Sequence, residues 1–153
     1  MAPRSVKMGT MVDAGSDSIA INASPQRCAE VACDFASYPQ WAGDVKEATI
    51  VDRDASGRPS TVEYRASALG RSTHFTLQYD YSQLPSRLSW HMVDGDIMRS
   101  IVGSYTFTPE GSATRVDYAL AIELVLPLPG FVKRRAEKRI LSTLKELKTR
   151  VES

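Results

Sequence analysis

The sequence contains few of the residues that most often bind metals, form disulfides or act as nucleophile–base pairs. Its 153 residues include two histidines and two cysteines. The cysteines, Cys28 and Cys33, lie five positions apart in one predicted helix, a spacing that favours neither a disulfide nor a CxxC motif. We therefore expect reduced thiols in a cytoplasmic protein, with no metal site and no cofactor.

Glycine-rich nucleotide-binding motifs and an apolar N-terminal run are also absent. Residues 1–18 contain no apolar run of the length that a signal peptide or a membrane span requires. We predict a flexible N-terminal tail over residues 1–15 and one domain over residues 16–153, which is a common domain size. The net charge of +1 gives no general reason to expect nucleic acid as a partner.

The first third of the chain predicts a strand and two short helices. Residues 17–23 alternate in polarity as in a half-buried strand. Ser24 is placed as the N-cap and Pro25 as the first residue of a helix that extends to about residue 35. A Tyr-Pro step then ends this helix, and residues 38–41 form a very short helical turn.

The middle of the chain has the two-residue period of β-strands. Residues 72–81 show it most clearly, and the same alternation returns at 88–92 and at 116–124. Turn signals separate these runs, among them the Asp-Gly pair at 94–95. We predict about six strands in this region, joined by short turns into an antiparallel meander.

From residue 131 onward the apolar period changes to that of a helix. Ala136, Ile140, Leu144, Leu147 and Val151 recur at intervals of three or four residues. A sheet of six or seven strands is too wide for one helix unless the sheet curls around it. The pattern therefore predicts an α+β protein in which a curved antiparallel sheet grips a long C-terminal helix and leaves a void between the two.

Four stretches, taken in order, resemble the START-like (SRPBCC) superfamily. They are 19–31 (IAINASPQRCAEV), 35–41 (FASYPQW, with Asp34 leading a D-x-x-x-Y/W-P-x-W turn), 103–118 (GSYTFTPEGSATRVDY) and 126–133 (LPLPGFVK). The chain is most similar to bacterial proteins of the polyketide cyclase/dehydrase type. The resemblance implies the helix-grip fold: six to seven antiparallel strands wrapped around a long C-terminal helix, with two short helices after strand 1. It also implies a cavity for a hydrophobic ligand, but no particular reaction.

Ten residues are predicted to contact the ligand, because they fall on the inner face of the sheet or beside the predicted pocket mouth. They are Trp41, Tyr64, Phe75, Leu77, Tyr79, Trp90, Met92, Tyr105, Tyr118 and Phe131. Tyrosine hydroxyls and indole N–H groups would supply the few oriented polar contacts of such a pocket. The alternative for the strand residues is ordinary core packing. For Trp41 and Phe131, together with Met98, the alternative is a cap on the end of the core.

The most direct functional prediction is a carrier or sensor of a hydrophobic small molecule, such as a lipid, an isoprenoid or a polyketide-like compound. The second candidate is a polyketide cyclase or dehydratase. Cyclases of this superfamily steer their substrate with arginine and other polar groups inside the cavity. The corresponding positions here read Leu77, Tyr79 and Met92, which favours the carrier.

Catalysis by the cavity phenols is an open alternative. A buried hydroxyl of Tyr64, Tyr79 or Tyr118 could donate a proton to an enolate. A nucleophile–base pair is not expected, because His74 and His91 fall on the strand faces opposite the apolar stripe.

The C-terminal segment is strongly basic. Residues 133–153 contain eight basic and three acidic side chains, a net charge of +5, so the remainder of the chain carries −4. This segment could dock on an anionic membrane or on an acyl carrier protein. The alternative is the solvated outer face of a packed helix, whose basic residues complement the helix dipole.

Overall fold

A computed structural model describes residues 12–68, 71–125 and 131–153, which form seven strands and three α-helices. The strands are β1 (Val12–Ile21), β2 (Val45–Arg53), β3 (Pro59–Ala68), β4 (Arg71–Asp80), β5 (Arg87–Gly95), β6 (Met98–Glu110) and β7 (Ala113–Leu124). The helices are α1 (Pro25–Ala32), α2 (Tyr38–Trp41) and α3 (Phe131–Glu152). A single 3₁₀ turn, Phe35–Ser37, joins α1 to α2.

The seven strands form one antiparallel sheet in the order β1-β7-β6-β5-β4-β3-β2. Strands β2 to β7 are a meander in which each strand pairs with the next along the chain. Strand β1 departs from this order, because it pairs with β7 at the far edge of the sheet. The prediction of an α+β helix-grip fold, with two short helices after strand 1, is confirmed.

The first strand begins earlier than the sequence predicts. Val12 pairs with Glu123 and Gly15 with Leu120, so residues 12–15 belong to β1 and not to a flexible tail. This part of β1 is too polar to show an apolar alternation. Backbone pairing with β7 forms the strand, and a side-chain pattern does not reveal such pairing. Residues 1–11 lie outside the described residues.

Helix α1 starts as predicted and ends earlier. The Ser24 hydroxyl accepts a hydrogen bond from the backbone N–H of Arg27 at 3.1 Å, and Pro25 is the first helical residue. The helix stops at Ala32, and the chain continues into the 3₁₀ turn that buries Phe35 in the core. The predicted helix is therefore two elements, which together turn the chain toward α2.

Helix α3 lies mainly against β1 and β7, with α1 and α2 beside it. Ile140, Leu144, Leu147 and Val151 of its apolar stripe are buried, as their spacing predicts. The side chain of Ala136 lies outside the described residues. Because the helix sits toward one edge of the curved sheet, it does not fill the concave side in front of the other strands.

The two ends of the domain are tied together by hydrogen bonds between α3 and β1. The Lys148 ammonium donates to the carbonyl oxygen of Ala20 at 2.9 Å and pairs with Glu152 at 2.6 Å. Glu152 in turn accepts from the backbone N–H of Asn22 at 2.8 Å. Burial of the apolar stripe and these polar contacts together fix the helix on the first strand.

The turn between β5 and β6 contains Asp96. It begins directly after the Asp-Gly pair at 94–95, where the sequence predicts a turn. One carboxylate oxygen of Asp96 accepts hydrogen bonds from the Thr73 hydroxyl and from the backbone N–H of Ile97, at 2.5 and 2.6 Å. The other accepts from the backbone N–H of His74 at 3.0 Å. These bonds, led by that of Thr73, hold the pKa of Asp96 below its usual value.

Substituting Asp96→Asn should destabilise the protein at pH 7 and should matter less at low pH. The carboxylate stabilises the fold above an unfolded-state pKa of about 3.9, and that contribution is lost as the pH falls through its lower folded-state pKa. The difference in melting temperature between wild type and variant should therefore shrink from pH 7 to a pH of about 2.5. Asp94→Asn, at an exposed position two residues earlier near the end of β5, is the control. A constant difference at all pH values would contradict the assignment.

Candidate ligand-binding cavity

A cavity of about 180 Å³ lies between the concave face of the sheet and helix α3. Strands β3 to β7 supply most of its wall, and α2 and α3 close its other side. Eight of the ten predicted contact residues line it: Trp41, Tyr64, Phe75, Leu77, Tyr79, Trp90, Tyr105 and Tyr118. The structure thus places these side chains around one space, and their contact with a ligand remains a prediction.

One predicted residue, Met92, is not among the described residues that line the cavity. Met92 is half-buried and folds toward Gly95, where its sulfur would lie 2.7 Å from a Cβ atom at that glycine. The pairing of β4 with β5 is irregular next to Leu77 and Met92, and the strand alternation does not show that irregularity. The side chain of Phe131 lies outside the described residues.

The wall is a continuous series of aromatic rings. Phe35 stacks on Tyr79 with ring centroids 4.0 Å apart, and Tyr79 lies 5.9 Å from Trp90. Trp90 is followed by Tyr105 at 5.2 Å, and Tyr105 by Tyr118 at 4.7 Å. The three pairs from Tyr79 to Tyr118 lie within the range at which aromatic rings attract one another, and Phe35 makes a closer stacked contact with Tyr79. The packed rings give the cavity a rigid, largely apolar surface.

Gly103 provides the space that Trp90 occupies. The two residues are directly opposite each other in β5 and β6. A Cβ atom at residue 103 would lie 2.5 Å from three atoms of the indole ring. The position of the tryptophan in the wall therefore depends on the absence of a side chain across the strand pair.

Two phenols meet inside the cavity. The hydroxyl oxygens of Tyr64 and Tyr79 are 2.6 Å apart, a distance that requires a hydrogen bond between them. Burial raises the pKa of both hydroxyls well above the usual value. Both side chains are therefore neutral at physiological pH and can donate protons in hydrogen bonds.

A polar rim borders the cavity between the start of β2 and helix α3. The Arg139 guanidinium lies 3.6 Å from the Asp44 carboxylate and donates to the backbone carbonyl of Ser67 at 3.0 Å. Glu146, further along the same helix, accepts from the backbone N–H of Gly43. The side chains of Asp44 and Arg139 are 48% and 40% exposed, so this rim faces solvent. No local sequence pattern predicts the rim. Its residues on α3 are separated along the chain by about a hundred residues from its residues just before β2.

The cavity also has lining residues that were not among the ten predicted ligand contacts. Met98 lines the cavity, in agreement with its predicted place near the mouth, and Ile101 follows it on β6. Tyr38 lines it as well, and its hydroxyl donates to the backbone carbonyl of Ala32. Tyr38 lies within the FASYPQW stretch, so that motif was the signal that could have identified it.

The described residues do not assemble a metal site or a nucleophile–base pair. Among them, no group of three or more histidine, cysteine or acidic side chains is close enough to hold a metal ion. His74 and His91 are exposed on the outer face of the sheet, as predicted. Both cysteines are free thiols, and burial raises the pKa of Cys33 to about 11, so that it is a poor nucleophile.

Several basic side chains of α3 are engaged within the protein itself. Besides Arg139 and Lys148, Arg150 donates to the side-chain oxygen of Gln40 at 2.9 Å. Lys138 and Lys145 are exposed and make no hydrogen bond among the described contacts. Part of the basic segment therefore holds the helix in place. Within the described ranges, no helix is both long and apolar enough to cross a bilayer.

A curved seven-stranded antiparallel sheet, a long C-terminal helix and an apolar cavity between them define the helix-grip proteins of the START-like class. The chain belongs to the family described as polyketide cyclase/dehydrase and lipid transport, whose model matches residues 14–152. No curated protein sequence matches the chain.

Solved structures agree with this assignment. A START superfamily protein from Mycobacterium smegmatis is 27% identical with a TM-score of 0.85, and the match covers 94% of this chain and 98% of that one. A protein from Thermus thermophilus is 25% identical with a TM-score of 0.74, over 90% and 96% of the two chains. The ZhuI aromatase/cyclase from Streptomyces sp. R1128 is 12% identical with a TM-score of 0.67, over 93% and 94%, and shares the fold.

Proposed function

We propose that the protein carries or senses a hydrophobic small molecule, which it binds in the cavity between the sheet and α3. The observation that supports this function is the aromatic wall around a space of about 180 Å³. Burial of apolar ligand surface there would contribute roughly 25 cal/mol per Å² before the costs of association. The two free thiols fit a cytoplasmic location.

The size of the cavity favours a compact ligand. An apolar cavity of about 150 Å³ is known to hold benzene, so a space of about 180 Å³ holds about two rings, and the open side of the cavity leaves room for a third. Of the lipid, isoprenoid and polyketide-like classes, a small polyketide-like aromatic or a short isoprenoid fits best. A long acyl chain would extend out of the cavity through its open side.

The character of the wall favours binding over catalysis. The charged lining residues Asp44, Arg139 and Glu146 belong to the rim and are engaged in polar contacts with one another or with backbone groups. The inner polar groups are neutral phenols, of which Tyr64 and Tyr79 bind each other. An enzyme would need a group that exchanges protons near neutral pH. Neither phenol of this pair meets that requirement.

Filling the cavity should abolish ligand binding. Ala66 is 6% exposed and lines the cavity, and a phenyl ring at this position would occupy most of the space. We expect Ala66→Phe to weaken binding of the neutral fluorescent probe N-phenyl-1-naphthylamine by about tenfold or more, which corresponds to about 1.4 kcal/mol or more. Probe titration measures the effect, and thermal melting checks the fold.

Ala119→Phe is the matched control, because Ala119 is exposed on the outer face of the same sheet. This variant should bind the probe as the wild type does. Equal affinity of the two variants would place the probe outside the cavity and would contradict the proposed function. If the wild type does not bind the probe at all, the proposal fails more directly.

A further inference from the structure

The Tyr64–Tyr79 pair has more donors than the protein can use. Each phenol has one O–H donor, and only one of the two protons can lie between oxygens that are 2.6 Å apart. The second proton has no acceptor among the described side chains and backbone groups. The rings of Tyr79 and Tyr64 pack against the rings of Phe35 and Phe75, respectively. A buried donor without a partner costs free energy, which a ligand acceptor would recover.

The free O–H of this pair is a good donor. A hydroxyl that accepts one hydrogen bond is polarised and donates a second one more strongly. Burial raises the pKa of both phenols and keeps them protonated, so neither of them becomes an anion at physiological pH. Tyr38 differs, because its own hydroxyl is already bound to the carbonyl of Ala32.

The described hydrogen bonds and ion pairs do not join the Tyr64–Tyr79 pair to the charged residues of the rim. After burial, the carboxylates of Asp44 and Glu146 contribute to the raised pKa values of Tyr118 and Tyr105, respectively. The hydroxyls of Tyr64 and Tyr79 are influenced by other tyrosines instead. The rim itself has two carboxylates and one guanidinium among its described members, a balance that disfavours an anionic ligand.

We propose that the Tyr64–Tyr79 pair binds the carbonyl oxygen of a compact, uncharged, otherwise apolar ligand such as an aromatic ketone. The inference rests on the proposed function and specifies the ligand class of the same cavity. A carbonyl is the matching group, because it accepts the free O–H proton and brings no donor that would need a partner of its own. The apolar remainder of the ligand would contact the aromatic wall.

Two probes of nearly equal shape test the proposal: 2-acetylnaphthalene, which has a carbonyl, and 2-ethylnaphthalene, which has none. Their affinities are measured by displacement of N-phenyl-1-naphthylamine. The wild type should bind the ketone about fivefold more tightly, as one hydrogen bond of typical net strength predicts. In the double variant Tyr64→Phe/Tyr79→Phe the preference should vanish, while the hydrocarbon binds at least as well as before.

Two single variants and one control variant test which hydroxyls cause the preference for the ketone. Tyr64→Phe and Tyr79→Phe should each keep the ketone preference, because the remaining hydroxyl retains one free proton. Tyr81→Phe removes a hydroxyl that does not line the cavity and that donates to the backbone carbonyl of Pro59, so this variant should also keep the preference. Equal binding of the two probes to the wild type, or an unchanged preference in the double variant, would overturn the carbonyl site and leave the cavity function intact. If neither probe displaces the dye, the cavity function fails and the carbonyl site fails with it.

Discussion

Replacing Leu144 with alanine should lower the free energy of unfolding by about 2–5 kcal/mol. Leu144 is fully buried in the middle of the apolar stripe of α3. Because α3 is the long helix that covers β1 and β7, the space left by the lost methyl groups lies at the central helix–sheet contact. The surrounding rings and strands can close such a space only in part, so both a transfer cost and a cavity cost are expected.

Urea denaturation monitored by circular dichroism measures this change. Lys145→Ala, at the next and exposed position, is the matched control and should alter stability by less than about 0.5 kcal/mol. A loss below about 1 kcal/mol for Leu144→Ala would mean that α3 does not pack through this side chain.

Replacing Gly103 with alanine should destabilise the fold by about 1–3 kcal/mol through overpacking. The added methyl group would collide with the Trp90 ring, a rigid group that is only 7% exposed. The indole must then move into the cavity or the strand pair must separate. The first response would also weaken binding of the apolar probe and change the tryptophan fluorescence.

A double-mutant cycle isolates this effect. Trp90→Phe replaces the indole, whose Cε2, Cζ2 and Nε1 atoms the methyl group meets, with a smaller ring, so Gly103→Ala should cost less in that background than in the wild type. Val102→Ala, exposed on the same strand, controls for strand propensity. If the cost of Gly103→Ala is the same in both backgrounds, the two residues do not interact as the geometry indicates.

The parts of the fold that depend on local periodicity were predictable. The alternation of residues 72–81 correctly placed Leu77 and Tyr81 inward and His74 outward, and the helical spacing of α3 identified its buried stripe. Both patterns reflect burial directly, because the position of a residue along a regular helix or strand determines the direction in which its side chain points. The curvature of the sheet was also predictable, because a flat sheet of six or seven strands is wider than one helix can cover.

The features that depend on distant contacts were not predictable in the same way. The rim pair Asp44–Arg139 joins a residue just before β2 to one on α3, and neither has a local signal. The hydrogen bond between Tyr64 and Tyr79 requires the β3–β4 register, which a period of two does not specify. Met92 packs against the core but is not among the residues that line the cavity, and it lies next to an irregular pairing of β4 with β5 that the alternation does not show.

The pairing of β1 with β7 affects the order in which the protein can fold during translation. Strand β1 leaves the ribosome before the other described strands, yet its described strand partner is made about a hundred residues later. Strands β2 to β7 can pair with their neighbours as each one emerges, because their contacts are local. Strand β1 must stay unpaired in the nascent chain until β7 appears, and it is then covered by α3, which follows β7 in the chain. Closure of the sheet around the helix, and with it of the cavity, therefore waits until all seven strands and α3 have been made.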